Sequence, residues 1–315
     1  MCARSTKTRR YSKKEWKSVA NNEISKFTNI ILHVIFIILS ITCLLPIVLV
    51  FMISITDYDY IVLNGYQFIP EKLSLEAYAY IFKDYSVVLK AYGVSFFVTI
   101  TGTLVSVFIS SLYAYPISRT DFRYRGFFAF LIFFTMLFGG GLVPWYMVYT
   151  QVLDLKNSIW ALIVPMLLSP FNVLIMKTYF QMSVPPALIE ASTIDGAGEL
   201  RTFFQIVFPL SLPVFATIGL FNTLHYWNDW FNSMIFITDT DLYSLQYLMY
   251  KMISQADYLS RNGALIQGSA TELAKLPGET IRMAMALIGI GPIVLAYPFF
   301  QRYFIKGLTL GSIKG

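Results

Sequence analysis

The chain has 315 residues, 56% of them hydrophobic and only 13% charged, with a formal net charge of +6. Soluble domains carry about 25% charged residues. A water-soluble globule cannot hide this much apolar surface, which excludes a soluble enzyme or a soluble nucleic-acid-binding domain. The two cysteines, Cys2 in a basic tail and Cys43 in an apolar run, build no disulfide framework.

Residues 1–29 form a polar tail rich in Lys and Arg. A helix rising 1.5 Å per residue needs about 20 apolar residues to cross about 30 Å of hydrocarbon. Six runs of that length follow, at 30–55, 91–115, 127–149, 159–180, 214–237 and 281–304. The first is too long for a signal-peptide core and has no small-residue cleavage site after it, so it reads as a retained anchor. Inside a bilayer the backbone must satisfy its own hydrogen bonds, which makes helices the solution for an open chain. The expectation is an all-α integral membrane protein, with one domain of six transmembrane helices over 30–304 and a tail at 305–315.

Lys and Arg set the direction. With the N-terminus inside, sixteen of the 24 basic residues fall on the cytoplasmic side and eight on the other, and both termini are cytoplasmic. Eight of the sixteen lie in the N-terminal tail, where a topology signal explains them better than a nucleic-acid arm. In the first external loop, 56–90, Leu75, Tyr78, Ile81 and Phe82 recur at helical spacing and predict a short surface helix. Gly139, Gly140 and Gly141 with Pro144 predict a break near the outer end of the third span. In the last external loop, 238–280, Leu245, Leu248, Met249 and Met252 share a helical face.

The cytoplasmic loop at 181–213 is the most informative stretch. Ser183 as N-cap and prolines in a first turn predict a helix over 185–195, ended by Gly196 in a left-handed conformation. A second helix from Glu199 puts Leu200, Phe203, Phe204 and Val207 on one face until Pro209 stops it. The product is a helix-turn-helix joined rigidly to two spans, a shape able to transmit force.

Glu190-Ala191-Ser192, Gly196 after three intervening residues, and Ile206-Val207-Phe208-Pro209 after nine more resemble the "EAA" loop of ABC importer permeases. Ser192 stands where the pattern has Ala, and Phe208 where it has Leu. Ile194-Asp195-Gly196-Ala197 is similar to the carbohydrate branch of that family, as is the C-terminal run from Gln301 to Gly315. The resemblance covers most of the chain beyond the tail. It is nearest to the subgroup that imports oligosaccharides or polysaccharide fragments, and implies the type I importer permease fold in a bacterial cytoplasmic membrane. It further implies a second homologous permease subunit, two ATPase subunits that bind ATP and Mg, and an external sugar-binding protein. This chain itself is expected to bind no cofactor and to be no enzyme. The resemblance makes Glu190, Ala191, Ser192, Ile194, Asp195, Gly196, Ile206 and Pro209 the surface that docks on an ATPase, with Glu190 meeting a basic partner.

Polar groups within spans are costly and mark pathways. The fourth span carries Asn172 after Pro165 and Pro170; the fifth carries Asn222, His225, Asn228 and Asp229 among Tyr226, Trp227 and Trp230. The family places substrate contacts on these helices, so Asn172, Trp227, Asn228 and Asp229 are the candidates for a sugar path. Helix–helix hydrogen bonding for the amides and an interfacial aromatic belt for the tryptophans are the alternatives. His33 and His225 have no carboxylate or Cys at ligand spacing, which argues against zinc. The sequence has no G-x-x-x-x-G-K-[ST] loop to hold nucleotide. An ion-coupled secondary transporter would need more intramembrane ionisable groups than Asp229, and an intramembrane enzyme would need a nucleophile and base pair that the spans do not offer.

Overall fold

The computed structural model describes residues 25–262 and 278–311. The basic tail as far as residue 24, residues 263–277 of the last long loop and the final four residues lie outside the described residues. Among the described residues the chain is helical, and its one β interaction is an antiparallel bridge between Thr56 and Leu73.

Helix α1 (Lys26–Ser54) opens on Ser25, whose hydroxyl accepts from Thr28 N–H at 3.2 Å. It is apolar all round and almost wholly exposed, Ile37 and Leu44 among its bare side chains. A helix hydrophobic on every face belongs in lipid. Two short helices follow, α2 (Tyr58–Asn64), capped by Asp57, and α3 (Glu76–Ile81). The latter realises the surface helix expected from the periodicity, and Ile81 is buried against the body of the molecule.

Helix α4 (Tyr85–Ser118) is the spine, 34 residues long, or about 50 Å at 1.5 Å per residue. Two separate apolar cores sit at its ends. One gathers Val88, Ala91 and Val98 with Ala161, Leu162, Trp227, Phe236, Leu245 and Met285. The other gathers Ala114, Tyr115 and Ile117 with Val173, Met176, Phe203, Val207 and Ile218.

The third and fourth apolar stretches are not continuous helices. Helix α5 (Arg125–Leu137) ends before the glycines, and α6 (Leu142–Met147), prolonged by a wider turn over Val148–Val152, leaves at 115° to it. Gly141 takes φ +82°, a conformation that costs a residue with a Cβ about 1–2 kcal/mol. The break was expected, but it turns the chain sharply instead of fraying one end. The fourth stretch begins as two short 3-10 segments, Ile159–Leu162 and Val164–Met166, and becomes α7 (Pro170–Ser183) after a 49° bend. Pro165 and Pro170 lack N–H groups and explain the irregular first half.

After α8 (Pro186–Ile194) and the arm formed by α9 (Glu199–Thr202), a wide turn at Phe203–Val207 and α10 (Phe208–Leu210), the chain bends by 82° into α11 (Leu212–Trp227). The fifth span therefore stops ten residues short of the expected 237; α12 (Phe231–Phe236) follows as a separate turn. Helices α13 (Leu245–Asn262) and α14 (Gly278–Gly311) complete the described chain. Among the described residues two helices are long and apolar enough to cross a membrane alone, or up to five spans if each bent pair is one span.

Proline shapes the last helix. Pro292 has no N–H to offer Ile288 C=O. That carbonyl instead accepts from Tyr92 OH at 3.0 Å, and the adjoining Gly289 C=O accepts from Trp227 Nε1 at 2.8 Å. These bonds tie α4 and α11 to α14.

Candidate functional site

The loop at 181–213 folds as a compact hairpin. Val184 and Pro185 are extended, as the residue before a proline prefers, and Pro186 starts α8. Ser183 does not cap this helix: it closes α7, and Pro185 occupies the N-cap without a side-chain bond. Gly196 adopts φ +74° and turns the chain, while Ala197 N–H reaches back to Ser192 C=O at 2.9 Å. Ser192 and Thr202 are buried and share a hydroxyl–hydroxyl bond of 3.0 Å across the turn. The departure from the motif at Ser192 thus has a partner on the returning arm. Phe203 and Val207 enter the core, but Leu200 and Phe204 are exposed, so the expected single face is split by the wide turn at 203–207.

Glu190, Ala191 and Asp195 are exposed, and Ile194 is 86% exposed. With Leu188, Leu200 and Phe204 they leave this end of the molecule a mixed apolar and acidic surface. Exposed apolar groups of this extent mark an interaction surface. Ile206 is half-buried and Pro209 exposed. Beside them opens a concavity of about 650 Å³, lined by Glu190, Ile189, Thr193 and Ile194 on one wall and by Tyr115, Arg119 and Asp121 on the other.

That second wall was invisible in the sequence. The side chain of Arg119, only 11% exposed, donates to Glu199 Oε2 at 3.0 Å and to Tyr115 OH at 2.9 Å, while Tyr115 OH donates to the same carboxylate oxygen at 2.9 Å. Arg119 also pairs with Asp121, its Nε at 2.8 Å from Oδ1. The guanidinium holds the Asp121 carboxyl below its ordinary value, through their hydrogen bonds first. Glu199 opens the returning arm and Arg119 ends the spine, so this knot fastens the hairpin to α4. The signal for it lay in residues 80 positions apart, which no local pattern links.

Between the two cores a chain of polar side chains crosses three helices. Asn172 Nδ2 donates to Asn222 Oδ1 at 2.8 Å, and Asn222 Nδ2 donates to Ser106 Oγ at 2.9 Å. Asn172 is thus engaged in packing. So is Trp227, 3% exposed and bonded to Gly289. Asn228 and Asp229 are different. With His225, Trp230 and Phe231 they line an open concavity of about 440 Å³ at the end of α11. Asn228 Nδ2 donates to Leu224 C=O at 2.8 Å, and Asp229 Oδ1 accepts from Asn232 N–H at 3.2 Å. Of the four residues expected on a sugar path, two line this space and two bind helices together.

Residues 122–310 match the family described as binding-protein-dependent transport system inner membrane component. The chain belongs to this family. Its members are membrane channel subunits of ABC importers and not enzymes; nucleotide hydrolysis resides on partner chains. The family match covers α5 to α14 and takes in the whole hairpin at 181–213. The chain is 40% identical over 276 residues to the polygalacturonan/rhamnogalacturonan transport system permease protein YtcP of Bacillus subtilis, covering 87% of this chain and 93% of that one. Over 283 residues it is 28% identical to the trehalose/maltose transport system permease protein MalG of Thermococcus litoralis, covering 89% and 94%. Among solved structures, a bacterial ABC transporter involved in import of the acidic polysaccharide alginate has a chain that superposes with a TM-score of 0.73. The two are 26% identical, and the match covers 94% of this chain and 100% of that chain. The ABC importer permease fold therefore extends over α1 to α14.

Proposed function

We propose that this chain is one of two permease subunits of an ATP-driven importer that moves an oligosaccharide into the cytoplasm of a bacterium. In this reading it crosses the cytoplasmic membrane six times, α14 being the sixth span, with both termini inside. It pairs with a second, homologous permease, two ATPase subunits that carry ATP and Mg, and an external sugar-binding protein. It needs no cofactor of its own. The similarity to permeases named for polygalacturonan and for trehalose and maltose supports a carbohydrate as cargo.

The observation that carries the proposal is the hairpin: a short helix ended by a left-handed glycine, with Glu190 and Ile194 bare at its surface and its returning arm knotted to the spine. An ATPase cleft supplying a basic group covers Glu190 and the apolar residues beside it. Closure of the ATPase dimer then moves the hairpin, and with it α7 and α11, so that the cavity opens alternately to either side. Asn228 and Asp229 offer hydroxyl-binding groups along the path, and Trp230 offers a ring face.

Truncating one partner of a charge pair in a partly dry interface costs about 2–5 kcal/mol. Glu190→Ala is therefore expected to leave membrane insertion intact while ATP hydrolysis by the reconstituted complex loses its dependence on the loaded binding protein. Normal coupling and normal uptake in that variant would remove the hairpin from the mechanism.

A further inference from the structure

Another concavity, of about 560 Å³, lies on the far side of the molecule from the hairpin, between α3, α12 and α13. Its wall carries Tyr80, Tyr247, Tyr250, Lys251 and Tyr258. The rings of Tyr80, Tyr250 and Tyr258 are exposed. Lys251 is half-buried; its ammonium sits 4.9 Å from the centre of the Tyr243 ring and 3.4 Å from the Tyr243 hydroxyl. Among the described residues no carboxylate forms an ion pair with it, whereas Lys90 and Arg282 are each paired with Asp or Glu. An ammonium has three donors, and a single hydroxyl partner leaves two of them for a ligand.

This basin adjoins the concavity that holds Asn228 and Asp229. Tyr250 of the first and Trp230 of the second are stacked with ring centres 4.5 Å apart and planes at 24°. The two spaces thus meet at one aromatic pair.

Resting on the carbohydrate-import reading, we propose that the basin is the outer saccharide subsite of this permease and that it receives an acidic sugar. Lys251 binds the carboxylate of a uronate residue, and the tyrosines offer ring faces to its C–H groups and hydroxyls to its oxygens. A fixed cation without a carboxylate neighbour binds an anionic ligand more strongly than a neutral one of the same shape. Aromatic rings serve both. The volume, within the roughly 300–1,000 Å³ of small-molecule sites, accommodates a short segment of the saccharide and not a long polymer.

The test uses the complete transporter in cells or proteoliposomes, with trigalacturonate and its neutral methyl ester as probes and maltotriose as a further neutral sugar. Lys251→Gln is expected to lower trigalacturonate uptake roughly tenfold, the loss of one charge-assisted hydrogen bond. It is expected to leave neutral sugars that the transporter accepts unchanged, and Lys251→Arg to restore the acid. The amount of assembled complex in each membrane, measured alongside, separates this from misfolding. Trigalacturonate uptake within twofold of wild type in Lys251→Gln overturns the subsite, as does an equal loss for acidic and neutral sugars. A wild-type transporter that carries only the neutral probes overturns the acidic subsite and leaves carbohydrate import standing. One that carries none of the three overturns both.

Discussion

Gly102 lies where α4 packs against the Tyr226 ring of α11. A Cβ there would stand 2.5 Å from Cζ of Tyr226, whose hydroxyl is held by Ile163 C=O at 3.0 Å, so the ring has nowhere to retreat. Gly102→Ala is therefore expected to cost about 1–3 kcal/mol of overpacking, read as a lower thermal midpoint of the purified protein. Asn222 holds both Asn172 and Ser106. Replacing it by Leu leaves two polar groups without their partner inside the bundle and is expected to cost about 0.6–2 kcal/mol in the same measurement. The sequence left two roles open for the span amides, a sugar path or helix–helix hydrogen bonding, and the structure gives Asn172 a helix–helix bond. Asn172 and Asn228 are both amides in apolar text, and only the rotation of each helix decides which one meets another side chain and which meets open space.

The hairpin was the most legible element. Proline at a helix start and glycine after its end are local signals, and they fixed α8 and its turn to within a residue. The cap at Ser183 was misjudged because α7 continues through that residue, its last turn held by packing of Phe180 into the core. The closure of the knot around Arg119 was illegible, since Glu199, the partner that fastens the hairpin, lies 80 residues away on another helix. Gly196→Ala meets no side chain in space but forces φ +74° on a residue with a Cβ. A cost of about 1–2 kcal/mol in the turn is expected, visible as faster proteolysis at 195–197 and weaker capture of the ATPase. Arg119→Gln is expected to lower uptake several-fold by loosening the arm, with ATP hydrolysis less affected. Because the folded-state value of Asp121 is lowered, its pairing with Arg119 contributes fully above the ordinary carboxylate range. It is lost only as pH falls through that lowered value. Uptake by ATP-loaded proteoliposomes of the reconstituted complex should accordingly show no change attributable to this pair across neutral pH.

At the scale of the molecule, the all-helical build of a membrane permease was legible, since length and composition suffice for that. The breaks in its helices were read only in part. A triplet of glycines announces a bend but not an angle of 115°, and the stop of α11 at Trp227 has no proline or glycine to announce it. At this end Trp227 is bonded to α14, and Asp229 accepts locally from Asn232 N–H at the start of α12. The spine carries one apolar core at each end, and between them lie Thr99 and Ser110, buried hydroxyls with no hydrogen-bond partner, beside the Asn172–Asn222–Ser106 chain. In the proposed importer such a body is expected to tip as a see-saw about a fulcrum near Ser106, so that a push at the ATPase end moves the sugar end the opposite way. Paired spin labels at the two tips should then report displacements of opposite sense within a single turnover.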